Sequence, residues 1–163
     1  GFEKGRDELF AGDVRALLER YFELMREMVQ TACPTIIAHM DRIKKNNFYK
    51  TYFSEDEPWY KEAVEKTLAV IAESDAIVEI NTKSFYRNYT TDPDPSMWIV
   101  ELLQEHNIPV HLSSDAHRPE DIVRAFDVVR QQLRSMGFQS TKVLLEGEWQ
   151  DQPLLAKAQY SVS

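Results

Sequence analysis

The spacing of apolar residues predicts an α/β fold in which parallel strands alternate with helices. Short apolar runs at 35–39, 76–81, 109–113 and 141–145 have the length and content of buried strands. One stretch of helical periodicity separates each pair, the signature of βαβ units. The polar residues of chemical interest fall just past the C-terminal ends of these runs, the edge at which α/β proteins build their sites.

Residues 1–12 are polar and hold Gly1, Gly5 and Gly12, so they read as a loop leading in. From Val14, apolar residues recur at helical spacing (Leu17, Leu18, Tyr21, Phe22, Leu24, Met25, Met28, Val29), with Asp13 as N-cap. The helix breaks between Thr31 and Pro34. The run Thr35-Ile36-Ile37-Ala38-His39 is the first strand, and a polar loop, 41–53, follows it. Ser54-Glu55-Asp56-Glu57 matches a capping box and precedes Pro58, which opens a helix to about Ser74. Residues 76–81 form the second strand and 82–93 a loop containing Arg87. Asp94-Pro95 leads a helix to about Asn107, and 109–113 is the third strand. One helix is expected from Pro119 to Met136, with Ile122, Ala125, Phe126, Val129 and Leu133 as its apolar stripe and Gly137 as its stop. Thr141–Leu145 is the last strand, and 147–163 read as a polar tail.

A chain of 163 residues with 43% hydrophobic and 28% charged content fits one globular domain with a real core. Its net charge of -8 argues against a nucleic-acid-binding surface, while leaving room for a local basic pocket. No run approaches the ~20 apolar residues of a membrane span, and no signal peptide is visible. The single cysteine, Cys33, excludes an internal disulfide; it reads as a small buried residue in a reducing, cytoplasmic setting.

The chemistry centres on Ser113-Ser114-Asp115-Ala116-His117 after the third strand. A carboxylate and an imidazole two residues apart can be a pair of metal ligands, or a helix cap beside an exposed histidine. His39 can be a third ligand or a satisfied core histidine. Three potential ligands on one rim weigh toward a metal, since independent core histidines have no reason to share an edge. The cations Arg42, Lys44 and Arg87 lie in loops on that edge, where they are either solvated or poised for a phosphate. Asn81 is a substrate contact or a turn-former. Ser113 and Ser114 donate to a ligand or cap their loop. His111 lies inside its strand and reads as packing; His106 reads as a charge at a helix C-terminus. No Ser/His/Asp triad, phosphate-binding Walker loop or dinucleotide fingerprint is present.

The segments Ile37-Ala38-His39-Met40-Asp41, Val78-Glu79-Ile80-Asn81-Thr82 and Leu112 through Asp121 together resemble the C-terminal half of the polymerase-and-histidinol-phosphatase (PHP) superfamily. The Glu-Ile-Asn-Thr segment favours its histidinol-phosphatase branch. The resemblance spans about residues 6–145 and implies a partial PHP domain over 1–146. It further implies a distorted seven-stranded TIM-like β/α barrel around as many as three divalent ions (Zn, Mn or Fe). His39, Asp115 and His117 match metal-ligand positions, with Asp115 bridging a metal and the nucleophilic water. Arg87, and Lys44 where the family often has Arg, match positions that grip the substrate phosphate. The implied activity is metal-dependent hydrolysis of a small phosphomonoester, L-histidinol phosphate foremost, with no nucleic-acid or membrane partner. The family's opening His-x-His and its other early ligands have no counterpart here, because His39 is the first histidine. The expectation is a chain beginning mid-barrel, weakly active alone, and completed by an N-terminal chain or by self-association. The alternatives are a non-catalytic fragment of this fold, or a PHP enzyme for another phosphate ester.

Overall fold

The computed structural model describes residues 2–47 and 51–154. Its elements are α1 (Phe2–Phe10), α2 (Val14–Ala32), β1 (Ile36–Ile37), α3 (Pro58–Ala72), β2 (Ile77–Asn81), α4 (Lys83–Tyr86), α5 (Met97–Glu105), β3 (Val110–Ser113), α6 (Phe126–Ser135), β4 (Ser140–Leu145) and β5 (Glu148–Pro153). Single 3₁₀ segments occupy Arg42–Asn46 and Pro119–Asp121.

The strands form one sheet in sequence order, β1-β2-β3-β4-β5. The first four are parallel, as the alternation of runs and helices predicts, and β5 is antiparallel to β4. Among the described residues the sheet is open, with β1 and β5 at its edges. The fold is therefore an α/β structure with a mostly parallel five-stranded sheet.

Every residue of β2 is buried, as expected of a central parallel strand covered on both faces. In β3 buried Val110 and Leu112 alternate with half-buried His111 and Ser113. Leu18, Phe22, Met25 and Val29 form the buried stripe of α2. It packs in one core with Tyr60, Val64, Leu68 and Ile71 of α3 and Ile99, Val100 and Leu103 of α5. The helix starts are locally determined. The Asp13 carboxylate accepts from Ala16 N, at 3.0 Å. Half of the capping box forms, Ser54 N donating to Glu57 Oε1 at 3.0 Å, and the helix begins at Pro58.

The structure differs from the sequence reading in five places. Residues 2–10 are helical rather than a loop. Apart from Gly5 they are mostly good helix formers, but the helix buries none of its residues. Cys33 is exposed, because it is the left-handed C-cap of α2 (φ 45°) and turns away from the core. Lys83–Tyr86 forms a short helix inside the expected 82–93 loop. The single helix expected over 119–136 is broken. Ser114 Oγ donates to Ile122 O (2.7 Å) and Thr82 Oγ1 to Arg124 O (2.9 Å), so these carbonyls are taken from outside the helix. Ala125 then turns left-handed (φ 65°), α6 starts at Phe126, and Ile122 stays 59% exposed instead of joining the stripe.

The fifth difference replaces the first part of the predicted tail. Glu146 and Gly147, both at positive φ (52° and 86°), make the two-residue turn of a β4–β5 hairpin. Glu148, Asp151 and Pro153 on the outer strand, with Lys142 paired to Asp151 at 2.8 Å, give this edge the charges that discourage further pairing. Residues 155–163 of the predicted tail lie outside the described residues. No helix among the described residues is long and apolar enough to cross a membrane.

Candidate functional site

β2 and β3 end together, while the parallel β1 beside β2 ends three residues short of that line, its Ile37 in register with Val78. β1 stops at Ile37, β2 at Asn81 and β3 at Ser113, and Asn81 is in register with Ser113. Two residues beyond each end stand His39, Lys83 and Asp115. His39 and Asp115 both adopt left-handed backbone conformations, φ 54° and 44°. Six other described non-glycine residues, among them the helix caps Cys33 and Ala125, share that conformation, so it belongs to the turns that lead off the strands.

The structure brings Asp115 and His117 together around a cation that sequence reading missed. Lys83 Nζ donates to Asp115 Oδ2 at 2.9 Å and lies 3.2 Å from His117 Nδ1. That ring nitrogen is also 2.9 Å from Asp115 O and 3.7 Å from Asp115 Oδ1. Partial burial alone would raise the Asp115 pKa. The hydrogen bond and charge of Lys83 outweigh it, helped by His117 and His39, and hold the carboxyl below its usual range. Asp115 is therefore ionised at neutral pH. His117 is 67% exposed.

His39 faces a different partner. Its backbone N–H donates to Glu79 Oε2 at 3.2 Å, and its Nδ1 lies 3.4 Å from the same oxygen without hydrogen-bond geometry. That nitrogen is buried and has no hydrogen-bond partner, so the reading of a satisfied core histidine does not describe it. Among the described residues, no three His, Cys, Asp or Glu side chains converge on a point that could hold a metal ion. His39, Asp115 and His117 share the rim but do not by themselves make a metal site, and the cation on Asp115 is an ammonium.

The expected phosphate ligands divide. Arg87 Nη2 donates to Asp121 Oδ2 (2.8 Å), and Arg124 Nη1 to Asp121 Oδ1 (3.1 Å). Both guanidiniums lie 5.5 Å from the Tyr86 ring, whose hydroxyl donates to Ser114 O beside Asp115. Arg87 is thus tethered next to the rim, and its fork has more donors than Asp121 uses. Lys44 is used differently from the expectation. It is 7% exposed, with Nζ 2.7 Å from Asp41, 3.3 Å from Asp94, 2.8 Å from Ser96 Oγ and 3.1 Å from Pro93 O. An ammonium has three protons, so none is left for a phosphate. Arg42 likewise pairs with Asp94, at 2.8 Å.

Asn81 is fully buried and is a turn-former. Its amide donates to Glu79 Oε1 (3.2 Å) and its oxygen accepts from Lys83 N (3.0 Å), which sets the start of α4. The serines cap: Ser113 Oγ accepts from Asp115 N (3.3 Å) and Ser114 holds Ile122 O. His111 packs edge-on against Trp149 with Nδ1 2.9 Å from Lys142 O, and His106 at the end of α5 pairs with Glu65 at 3.2 Å. Lys83, Glu79, Asp121 and Arg124 were not singled out from the sequence. Lys83 had a usable signal, its offset from the end of the second strand being that of Asp115 from the end of the third.

No family model matches the chain. It is 24% identical over 130 residues to a Schizosaccharomyces pombe protein described as a probable histidinol-phosphatase, covering 78% of this chain and 42% of that protein. It is 27% identical over 104 residues to a Thermotoga maritima protein of the same description, covering 63% and 41%. A solved structure described as a histidinol phosphatase, from Listeria monocytogenes, superposes with a TM-score of 0.56 at 23% identity. That match covers 66% of this chain and 42% of the other, and shows a shared fold. The chain spans about two fifths of the length of the curated relatives it matches. It is thus similar in sequence to proteins described as histidinol phosphatases, and shares the fold of one of them over part of its length.

Proposed function

We propose that this chain supplies the C-terminal part of a phosphomonoesterase site of the histidinol-phosphatase kind. The observation that carries the reading is the cluster of Lys83, Asp115 and His117 just past the ends of β2 and β3, with His39 near enough to act on the Asp115 charge, in a chain whose curated relatives bear that description. The substrate is a small phosphate ester, L-histidinol phosphate first among them. Lys83 and Arg87 meet the phosphate oxygens. Asp115, held ionised, accepts a proton from the attacking water, and His117, at the exposed end, hands one to the leaving alkoxide. The net charge of -8 disfavours a nucleic-acid partner, and a cytoplasmic setting fits hydrolysis of a small phosphate ester.

A divalent ion (Zn, Mn or Fe) would supply Lewis acidity and a lowered pKa for bound water at such a site. The described residues do not hold one unaided, so the remaining donors would come from a complementing chain or from self-association. The test is calorimetric binding of L-histidinol phosphate to the chain. Binding weakened about tenfold or more by Arg87→Ala supports the reading, since a charge-assisted phosphate contact contributes that much. Equal binding by both proteins sinks it. Phosphate release is expected to stay near the no-enzyme level for the isolated chain.

A second reading, a non-catalytic domain that keeps the fold, is favoured by the ammonium seated on Asp115. It predicts no binding of the ester at all.

A further inference from the structure

We infer that Lys83 is a built-in counter-ion that stands where a metal would sit on the Asp115–His117 pair, and that it keeps this chain from loading a divalent ion there. The inference deepens the proposed site but needs no catalysis to be true.

The geometry carries it. Asp115 Oδ1 and His117 Nδ1 are 3.7 Å apart, a gap that one ion at about 2.1 Å from each could span. The same Nδ1 is 3.2 Å from Lys83 Nζ, and the other Asp115 oxygen is 2.9 Å from it. An ion bound by the pair would therefore touch an ammonium. Like charges at that distance in a partly buried place repel strongly.

Lys83 is also placed rather than wandering. Its backbone N–H is held by buried Asn81, and its side chain is 22% exposed. The lysine answers the charge of Asp115, which removes the electrostatic demand for a metal. Among the described residues, neither His39 nor any other His, Cys, Asp or Glu converges with the pair as a third donor.

Equilibrium dialysis of the full chain with Mn²⁺ tests this without substrate, so its outcome is separate from that of the phosphatase reading. Lys83→Met should bind Mn²⁺ at least about tenfold more tightly than the wild type. The gain should vanish in Lys83→Met/Asp115→Asn, and Lys83→Arg should stay as weak as the wild type. Equal affinity of the wild type and Lys83→Met overturns the inference. A second measurement needs no variant: the acetylation rate of Lys83, read by mass spectrometry, should not change when Mn²⁺ is added. Faster labelling with Mn²⁺ would mean that the ion displaces the lysine, and would overturn the inference whether or not Lys83→Met folds.

Discussion

Lys44 and Lys83 both follow a parallel strand, and both ion-pair with an aspartate on the same edge of the sheet. Their surroundings make them different devices. Lys44 is closed in: two buried carboxylates, a serine and a carbonyl use up its protons, and Arg42 and Ser84 complete Asp94 at 2.8 Å each. Lys83 is open: it has one carboxylate and one imidazole, and its partners are 31% and 67% exposed. A saturated, buried ion network holds structure; an unsaturated, half-exposed one remains available to a ligand.

The largest effect that can break this comparison is expected at Lys44. Lys44→Met would leave Asp41 and Asp94 buried without their shared cation. Removing one partner of a buried pair costs roughly 3–5 kcal/mol. One Asp41 oxygen already lacks a partner, so the network has no slack to absorb the loss. Urea unfolding should show the midpoint falling sharply, while a loss under about 1 kcal/mol would mean that Lys44 is no more structural than Lys83.

The same network sets a pH dependence at the alkaline end. Burial alone would lower the Lys44 pKa, but Asp41 and Asp94 outweigh it and raise it above the ordinary lysine value. A raised lysine pKa gives stability that is whole below the unfolded-state value and lost as pH climbs through the folded-state value. Wild-type stability should therefore fall once pH passes the ordinary lysine range. In Lys44→Met that part of the fall should be missing. Parallel pH profiles of the two proteins would show the network to be irrelevant.

A smaller effect is expected at Asp121, 2% exposed and shared by Arg87 and Arg124. Asp121→Asn keeps the shape and removes the charge. It should cost about 1–3 kcal/mol and loosen Arg87, so binding of a phosphate ester should change along with stability. If only stability changes, the tether does not serve the rim.

These contrasts also mark how far the sequence could be read. Four parallel strands in order, the Asp13 cap and the α2 stripe were legible because each depends on residues close in the chain. The broken helix after Pro119 was not, since Ser114 and Thr82 capture its carbonyls from other loops. Nor was the exposure of Cys33, which follows from one left-handed residue. The β5 hairpin was hidden by polarity, although Glu146-Gly147 carries the glycine that such turns favour. At the site, strand ends located His39, Asp115 and His117. Burial, which separates Lys44 from Lys83, is a property of the assembled fold, and loop cations look alike without it.

The smallest expected effect sharpens the comparison most. Lys83→Met removes an ion pair that is partly open to solvent, and such pairs contribute about 0–1 kcal/mol. Its unfolding midpoint at neutral pH should therefore lie close to that of the wild type. The small difference should be present at neutral pH and fade on acidification. The folded-state Asp115 pKa is depressed, so its stabilisation is present above the unfolded carboxylate value and lost as pH falls through the folded one. Lys83 is a main source of that depression, so the variant should lose less stability than the wild type on acidification. A large loss at neutral pH would instead put Lys83 in the same class as Lys44. The rim would then be one more structural network.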